Sequence, residues 1–246
     1  MRRIKLVIAY DGTNYCGWQK QPNAITVEEV INKKLTKLLG ENIEVIGSSR
    51  TDSGVHALGN VAVFDTETRI PAEKISYALN QRLPEDIIIQ SSSEVPLDFH
   101  PRYHKSCKTY EYKISNREFL LPTMRLYYHH VYKKLDIEKM QEAANYLIGK
   151  HDFKSFSAMR TQVQSTVRTI YSLDVIQEGD ELILRVRGDG FLYNMVRIIA
   201  GTLIKVGMGT MKPERIAEVL QSTERVKVGP NAPANGLTLV NIEFKN

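Results

Sequence analysis

The spacing of the apolar positions changes several times along the 246-residue chain, and each change predicts a new element. Residues 3–10 alternate moderately between apolar and polar positions, which predicts a strand. Residues 27–39 place apolar side chains at helical spacing. Thr26 followed by Glu29 is a capping-box pattern that begins this helix, and Gly40 ends it.

The next elements complete a familiar order. Strands are predicted at 43–46, 60–65 and 86–94, and Pro71 begins a second helix that runs to about Leu83. The order strand, helix, strand, strand, helix, strand is typical of a ferredoxin-like, or split βαβ, unit.

The same order recurs in the second half of the chain. The predicted elements there are a strand at 106–115, a sheet extension at 126–132, a helix at 136–148, a hairpin of strands at 170–176 and 182–186, a largely apolar helix from Phe191 to Val206, a short helix from Pro213 and a strand at 237–244. We therefore expect an α+β fold with a first domain over 1–104 and a second domain over 105–246. No residue-level repeat is present, so the duplication is inferred from element order.

Composition and charge exclude several classes of protein. No apolar segment approaches the ~20 residues that cross a bilayer, and no signal peptide is evident, so we expect a cytoplasmic protein without a membrane partner. Two distant cysteines and scattered histidines predict no metal site, and no nucleotide-binding loop occurs. The net charge is +5, and its excess lies after residue 105, which permits a nucleic-acid partner.

The first candidate for chemistry is the stretch of small residues from Gly47 to Ala57. It carries one carboxylate, Asp52, and one guanidinium, Arg50, in a setting where the backbone can turn sharply. If strand geometry persists there, both side chains point to the same side. Taken alone, the stretch is explained more readily by a polar turn formed by Asp52, so catalysis needs support from the rest of the chain.

Arg197 is the second candidate because it interrupts the apolar helix predicted from Phe191. A buried guanidinium is costly unless an acid or a phosphate pairs with it. Two explanations stay open at this point: a structural ion pair with any nearby acid, or a pair with Asp52.

Two tyrosines and one histidine are weaker candidates. Tyr110 and Tyr112 alternate on one predicted strand and are either ordinary sheet residues or a platform on which a base stacks. His56 follows Asp52 by four residues and either shapes its loop or acts as a general base.

Seven motifs in register give these candidates a common context. They are Tyr10-Asp-Gly12 with Tyr15-x-Gly-Trp-Gln19, Arg50-Thr-Asp-Ser-Gly-Val-His-Ala57, Asp98-Phe-His-Pro-Arg102, Lys108-Thr-Tyr-Glu-Tyr112, His151-Asp-Phe-Lys-Ser-Phe156, Gly190-Phe-Leu-Tyr-Asn-Met-Val-Arg197 and Ala234-Asn-Gly-Leu237. Across the whole chain, the sequence thereby resembles the TruA-type tRNA pseudouridine synthases. Ser53 stands where that family usually has alanine, and Lys108 where it commonly has arginine.

The resemblance implies two tandem ferredoxin-like (RRM-like) βαββαβ units whose sheets meet around a central basic cleft, in a homodimer. It implies an isomerase that converts uridine to pseudouridine at positions 38, 39 and 40 in the anticodon stem-loop of tRNA, with no cofactor and no metal. It assigns Asp52 as the catalytic nucleophile, Tyr110 as the residue that stacks on the base and accepts a proton, Arg197 as the ion-pair partner of Asp52, and Arg50 as a residue that handles the flipped nucleotide.

Alternatives remain at this stage. One is a non-catalytic RNA-binding protein with two RRM-like units, although no full RNP1 string is present. Another is a hydrolase that uses Asp52 with His56 and would release free uracil. Whether Asp52 attacks C1′, attacks C6 of the base or removes the C2′ proton does not follow from the sequence.

Overall fold

Ten strands and five α-helices form in residues 1–158, 164–222 and 228–245, which are the residues described by the computed structural model of the chain. The helices are α1 (Val27–Leu39), α2 (Ala72–Asn80), α3 (Ile137–Asn145), α4 (Met195–Gly207) and α5 (Arg215–Ser222). The strands are β1 (Arg2–Tyr10), β2 (Ile46–Gly47), β3 (His56–Thr66), β4 (Ile87–Val95), β5 (Ser106–Ser115), β6 (His129–His130), β7 (Gly149–Asp152), β8 (Val167–Glu178), β9 (Glu181–Gly188) and β10 (Leu237–Phe244). The predicted mixed α+β class is confirmed.

The chain divides into two compact units. Unit 1 comprises residues 1–105 together with 239–246, and unit 2 comprises residues 106–238. Most of the last strand, β10, therefore belongs to unit 1.

Unit 1 is a sheet with two helices. Its strands lie in the order β4-β1-β3, with β2 also paired to β3 and residues 239–244 of β10 beside β3. β1 runs antiparallel to both of its neighbours. Ile4, Leu6 and Ile8 alternate into the interior and are fully buried. The sheet and the helices share a core, to which α1 and α2 contribute the fully buried Val27, Ile31, Leu35, Ile75 and Leu79.

The helix α1 begins and ends where the sequence predicts. The Glu29 N–H donates to Thr26 Oγ1 at 3.4 Å at the start, and Gly40 adopts a left-handed conformation with φ 72° at the end. Glu29 pairs with Lys33 one turn later at 2.7 Å.

Unit 2 is an antiparallel sheet in the order β5-β9-β8-β7, with the short strand β6 parallel to β5. β8 and β9 form the predicted hairpin, which turns at Gly179 with φ 62°. The helix α4 is buried at almost every position, as its apolar sequence predicts.

The strand predicted at 43–46 is wrong in position, because β2 covers only residues 46–47. The Ile43 N–H donates to Thr36 Oγ1 at 3.1 Å, and the Val45 N–H donates to Asn32 Oδ1 at 2.9 Å. Side chains of α1 thus take backbone donors that a neighbouring strand would otherwise bind.

The helix predicted from Phe191 begins four residues later, at Met195. Asn194 has φ 62°, a left-handed conformation that is incompatible with the interior of a right-handed helix. Arg197 consequently lies in the first turn of α4, and it is half-buried, in contrast to the full burial expected from the apolar sequence.

Smaller differences follow from local geometry. Pro71 precedes the first residue of α2 as its cap, and within the predicted extension at 126–132 only His129–His130 form a strand. The strand β7 was not predicted, because residues 149–152 are short, polar and without alternation.

Candidate active site

Asp52 lies on the loop between β2 and β3, where residues 52–55 form a tight turn. The Val55 N–H donates to the Asp52 carbonyl at 3.1 Å and closes the turn. Gly54 occupies the third position with φ 77°, which glycine adopts without steric cost. Asp52 itself is half-buried, so it is neither sealed in the core nor fully solvated.

A second loop, residues 11–18, binds this turn through its backbone, and we call it the cradle. The Gly54 N–H donates to the Tyr15 carbonyl at 3.2 Å. The Trp18 N–H donates to the Thr51 carbonyl at 3.1 Å. The backbone is therefore held on both sides of Asp52 by the same short loop.

Two glycines of the cradle allow this close approach. A Cβ atom on Gly12 would lie 2.0 Å from the Val55 carbonyl oxygen, and one on Gly17 would lie 2.5 Å from the Thr51 carbonyl oxygen. Gly17 also has φ 83°, a conformation that a side chain would strain. The motif that contains Gly12 and Gly17 therefore supports the motif that contains Asp52.

Ser53 adds a contact that alanine would lack. Its Oγ donates to the Tyr15 carbonyl at 3.3 Å, the same oxygen that accepts the Gly54 N–H. The serine that departs from the usual family residue therefore gives the turn one more hydrogen bond to the cradle.

Thr51 is fixed by buried polar groups. Its Oγ1 lies 2.7 Å from the Tyr10 hydroxyl. Asn60, which is fully buried, donates through Nδ2 to the Ser49 carbonyl at 3.1 Å and to the Tyr10 hydroxyl at 3.4 Å. Satisfied buried polar groups favour one conformation of the loop over others.

The beginning of the loop is held by β3 and by residues 101–102. The Ser48 N–H donates to the Val61 carbonyl at 2.7 Å, and Ser48 Oγ donates to the Pro101 carbonyl at 2.8 Å. Arg102 Nε donates to the Gly47 carbonyl at 2.8 Å. The motif that ends at Arg102 therefore supports the Asp52 loop, a role that the sequence did not reveal.

His56 lies at the base of the turn with 5% of its surface exposed. The Gly12 N–H and the Asp11 Oδ1 atom each lie 3.1 Å from its Nδ1. A neutral Nδ1 accepts from Gly12, whereas a protonated Nδ1 donates to Asp11, so the ring joins turn and cradle in either state. This geometry agrees with a loop-shaping role.

Arg50 is exposed on the same loop, two residues before Asp52. Residues 48–55 are not part of a strand, so the condition under which strand alternation would point both side chains to one side is not met. An exposed guanidinium beside a half-buried carboxylate suits a polyanionic ligand.

Tyr110 and Tyr112 both lie on β5 and are buried. The Tyr110 ring packs edge-on against Phe191, with ring centroids 5.3 Å apart and planes at 84°. The Tyr112 hydroxyl donates to the Pro233 carbonyl at 2.8 Å. Burial raises the pKa of Tyr112, and the positive charge of Arg197 opposes that rise, so the hydroxyl remains a donor.

Arg197 is oriented by two neighbours within unit 2. Its Nε donates to the Ala232 carbonyl at 2.7 Å, and its Nη1 donates to Asn194 Oδ1 at 3.1 Å. The Ala232 N–H in turn donates to the Arg197 carbonyl at 3.2 Å. Adjacent carbonyls of residues 232 and 233 thus bind Arg197 and Tyr112, which brings these two sequence candidates to one segment.

That segment, residues 228–236, packs tightly on α4 and β5. A Cβ atom on Gly201 would lie 2.0 Å from the Pro230 carbonyl oxygen, and one on Gly236 would lie 2.8 Å from Cζ of Tyr112. Asn235 Nδ2 donates to the Tyr128 carbonyl at 2.8 Å. Asn235 and Gly236 of the last motif are therefore structural, as is Gly201 of α4.

Asp86, which lies outside the cradle, fixes it through contacts that sequence reasoning missed. The Tyr15 hydroxyl donates to Asp86 Oδ1 at 2.6 Å, and the Asp11 N–H donates to the Asp86 carbonyl at 2.9 Å. Tyr15 belongs to a motif and could have been suspected. Asp86 lies in no motif and is 71 positions away, so nothing in the sequence pointed to this pair.

Neither a metal cluster nor a membrane span was found among the described residues. In that part of the chain, no three or more histidine, cysteine, aspartate or glutamate side chains are grouped so that they could hold a metal ion. Its helices also lack the combination of length and apolarity that spanning a bilayer requires. Both cysteines are free thiols.

The fold and the site define a mixed α+β protein that presents a carboxylate on a turn held by backbone hydrogen bonds. Comparison with known proteins identifies its family. The family model described as tRNA pseudouridine synthase matches residues 6–104 and 143–245. The chain belongs to this family.

Relatives match over nearly their whole length. The proteins named tRNA pseudouridine synthase A from a Thermoanaerobacter species and from Ruminiclostridium cellulolyticum are 50% identical over 244 residues and 53% identical over 245 residues. That from Brevibacillus brevis is 46% identical over 244 residues. Each alignment covers 99% of this chain and 100% of the relative. The resemblance predicted from the seven motifs is confirmed.

Proposed function

We propose that this protein isomerises uridine to pseudouridine in tRNA, at positions 38, 39 and 40 of the anticodon stem-loop. Membership of the family supports the reaction class. The observation that carries the proposal is the half-buried Asp52 on a turn whose backbone is held on both sides by the cradle. Such a turn presents a carboxylate in a fixed place without sealing it from a substrate.

The reaction is an isomerisation, and its atoms balance within the nucleotide. The bond from N1 of uracil to C1′ of the ribose breaks, the base turns, and a bond from C5 to C1′ forms. The hydrogen on C5 leaves as a proton, and N1 gains one. Because oxidation state does not change, the reaction requires neither a redox cofactor nor an energy donor.

Asp52 is proposed as the nucleophile of this reaction, and Arg197 as the cation that favours its ionised form. Support for the role of Arg197 comes from its environment in unit 2. Ala232 and Asn194 bind it through Nε and Nη1, which fixes the direction of the guanidinium. Replacing Arg197 with methionine is expected to shift the acid limb of the pH–rate profile to higher pH. An unshifted limb would contradict the pairing.

Tyr110 is proposed to stack on the flipped uracil and to accept the proton from C5. Arg50 is proposed to bind the backbone of the same nucleotide, which its exposure on the Asp52 loop allows. Extracting a base from its stack costs a few kcal/mol, and these contacts offset part of that cost.

Recognition of three adjacent positions favours contacts to RNA shape and backbone over contacts to base edges. We also propose that the two units are tandem ferredoxin-like domains, which the strand order β4-β1-β3-β2 of unit 1 supports.

We further propose that the protein is a cytoplasmic homodimer. Light scattering on the purified protein tests the dimer, and a particle with the mass of one chain would contradict it.

Tritium release tests the proposed activity. The wild-type protein is incubated with an unmodified anticodon stem-loop that carries [5-³H]uridine at positions 38, 39 and 40. We expect one tritium released per modified site and pseudouridine in the RNA digest. A matched RNA with cytidine at these three positions is the control. Binding without release would favour the RNA-binding alternative, and free uracil would favour the hydrolase alternative.

A further inference from the structure

The cradle that supports Asp52 needs an anchor of its own, because a loop fixed only to another loop would move with it. Residues 11–18 contain two close-packed glycines and the carbonyl that binds Ser53 and Gly54. Their position relative to the sheet of unit 1 therefore decides where the turn lies.

Asp86 supplies that anchor through both its backbone carbonyl and its side-chain carboxylate. It lies directly before β4, and its carbonyl accepts the Asp11 N–H at 2.9 Å where the cradle begins. Its Oδ1 accepts the Tyr15 hydroxyl at 2.6 Å in the middle of the cradle. The Tyr15 side chain is 6% exposed, so its ring is also held by packing.

Tyr15 connects this anchor to the turn within a single residue. Its hydroxyl binds Asp86, and its carbonyl accepts from both Gly54 N–H and Ser53 Oγ. Its N–H donates to the Gly12 carbonyl at 3.0 Å, which closes the cradle on itself. The path from the start of β4 to the Asp52 turn therefore contains one side-chain hydrogen bond and one backbone carbonyl.

The protonation state of Tyr15 keeps this path intact. Burial, together with the hydrogen bond and the charge of Asp86, raises the pKa of its phenol. The hydroxyl is consequently a donor throughout the working range of pH, and a carboxylate acceptor makes the bond stronger than a neutral one.

We propose that Asp86 and Tyr15 are positioning residues for the reaction, which act together through the cradle to hold the Asp52 turn in its reactive place. This inference rests on the proposed function for its catalytic consequence. Neither residue needs to touch the substrate. Their effect is on the geometry of Asp52, to which reaction rates are steeply sensitive.

Four variants of the full-length protein test the proposal. Tyr15→Phe removes only the hydroxyl, and Asp86→Ala removes only its acceptor. We expect each to lower the single-turnover rate of tritium release about tenfold at saturating RNA, while the RNA dissociation constant stays within about twofold. The double variant should be no slower than the slower single variant, because both changes break the same bond. Asp86→Asn should stay close to the wild-type rate, because its amide oxygen still accepts from Tyr15.

Tyr128→Phe is the matched control. The Tyr128 hydroxyl donates to Glu181 Oε2 at 2.6 Å, the same type and length of bond, but within unit 2. This variant should keep the wild-type rate. Single variants at the wild-type rate, additive effects in the double variant, or an equal loss in Tyr128→Phe would each overturn the proposal.

Amide hydrogen exchange provides a readout that does not depend on activity. In Tyr15→Phe and Asp86→Ala, the peptide that covers residues 50–56 should exchange several-fold faster, while peptides from unit 2 stay unchanged. Unchanged exchange in residues 50–56 would refute the anchor. If exchange increases as expected but the wild-type protein releases no tritium, the anchor stands and the proposed function fails.

Discussion

At the residue scale, hydrogen bonds within each unit fix the direction of side chains that are proposed to act in the reaction. Arg197 is an example, since two of its five N–H donors bind Ala232 and Asn194 within unit 2. Its guanidinium is thus oriented before any substrate arrives. Preorganisation of this kind lowers the cost of stabilising charge during a reaction.

A bidentate pair in unit 1 gives a prediction at the residue scale. Arg3 Nε and Nη2 bind the two carboxylate oxygens of Asp65, each at 2.7 Å. The hydrogen bond from Arg3 holds the pKa of the Asp65 carboxyl below its usual value. The stabilisation is therefore complete above the unfolded pKa of about 3.9 and is lost as the pH falls through the folded pKa.

Asp65→Asn should lower the free energy of unfolding at neutral pH by about 1–2 kcal/mol, because the pair is charge-assisted but partly exposed. Urea unfolding of both proteins near pH 7 and near pH 3 measures the difference. The difference should shrink at the acidic pH. An equal difference at both pH values would show that the charge of Asp65 is irrelevant to stability.

Sequence reasoning at this scale found the residue types but not their supports. Asp52 and Arg197 stand out because their charge is unusual for their surroundings, whereas Tyr110 and Arg50 receive their roles from the family resemblance. The roles of all four remain predictions. Asp86 did not stand out, because a carboxylate before a strand is ordinary and its partner is distant in the chain.

At the scale of elements, periodicity predicted what depends on local sequence. The limits of α1 and β5 follow from caps and alternation, and both were predicted correctly. The late start of β2, at Ile46 and not at Ile43, depends on Thr36 and Asn32 of α1. Such tertiary competition for backbone donors has no periodic signal.

Two glycines of α4 give a matched prediction at this scale. A Cβ atom on Gly201 meets a backbone carbonyl at 2.0 Å, whereas one on Gly207 meets the flexible ends of Met140 and Leu135, the former at 2.6 Å. Alanine gains about 1 kcal/mol of helix propensity at either position.

Gly201→Ala should nevertheless lower the free energy of unfolding by at least about 2 kcal/mol, because the segment 228–236 must move away from α4. Gly207→Ala should cost clearly less, because side chains can adjust. Urea unfolding of both variants tests this order. A Gly201→Ala protein as stable as Gly207→Ala would contradict the close packing of Pro230 on α4.

For the molecule as a whole, charge predicts how RNA binding responds to salt. The chain carries a net charge of +5. Contacts to phosphates release counterions, so affinity falls as salt rises.

The dissociation constant for the anticodon stem-loop should therefore rise at least about tenfold between 50 and 200 mM salt. The single-turnover rate at saturating RNA should change little, because salt weakens the phosphate contacts that bind RNA and saturating RNA compensates for that loss of affinity. Fluorescence anisotropy and tritium release at each salt concentration measure the two quantities. An affinity independent of salt would contradict recognition through the RNA backbone.

The most direct test of the central claim is the rate of tritium release by Asp52→Asn and Asp52→Ala. Asparagine keeps the size of the side chain and removes its negative charge. Both variants should bind the [5-³H]uridine stem-loop within about twofold of the wild-type affinity and release no measurable tritium. Substantial release by Asp52→Asn would contradict the assignment of Asp52 as the nucleophile.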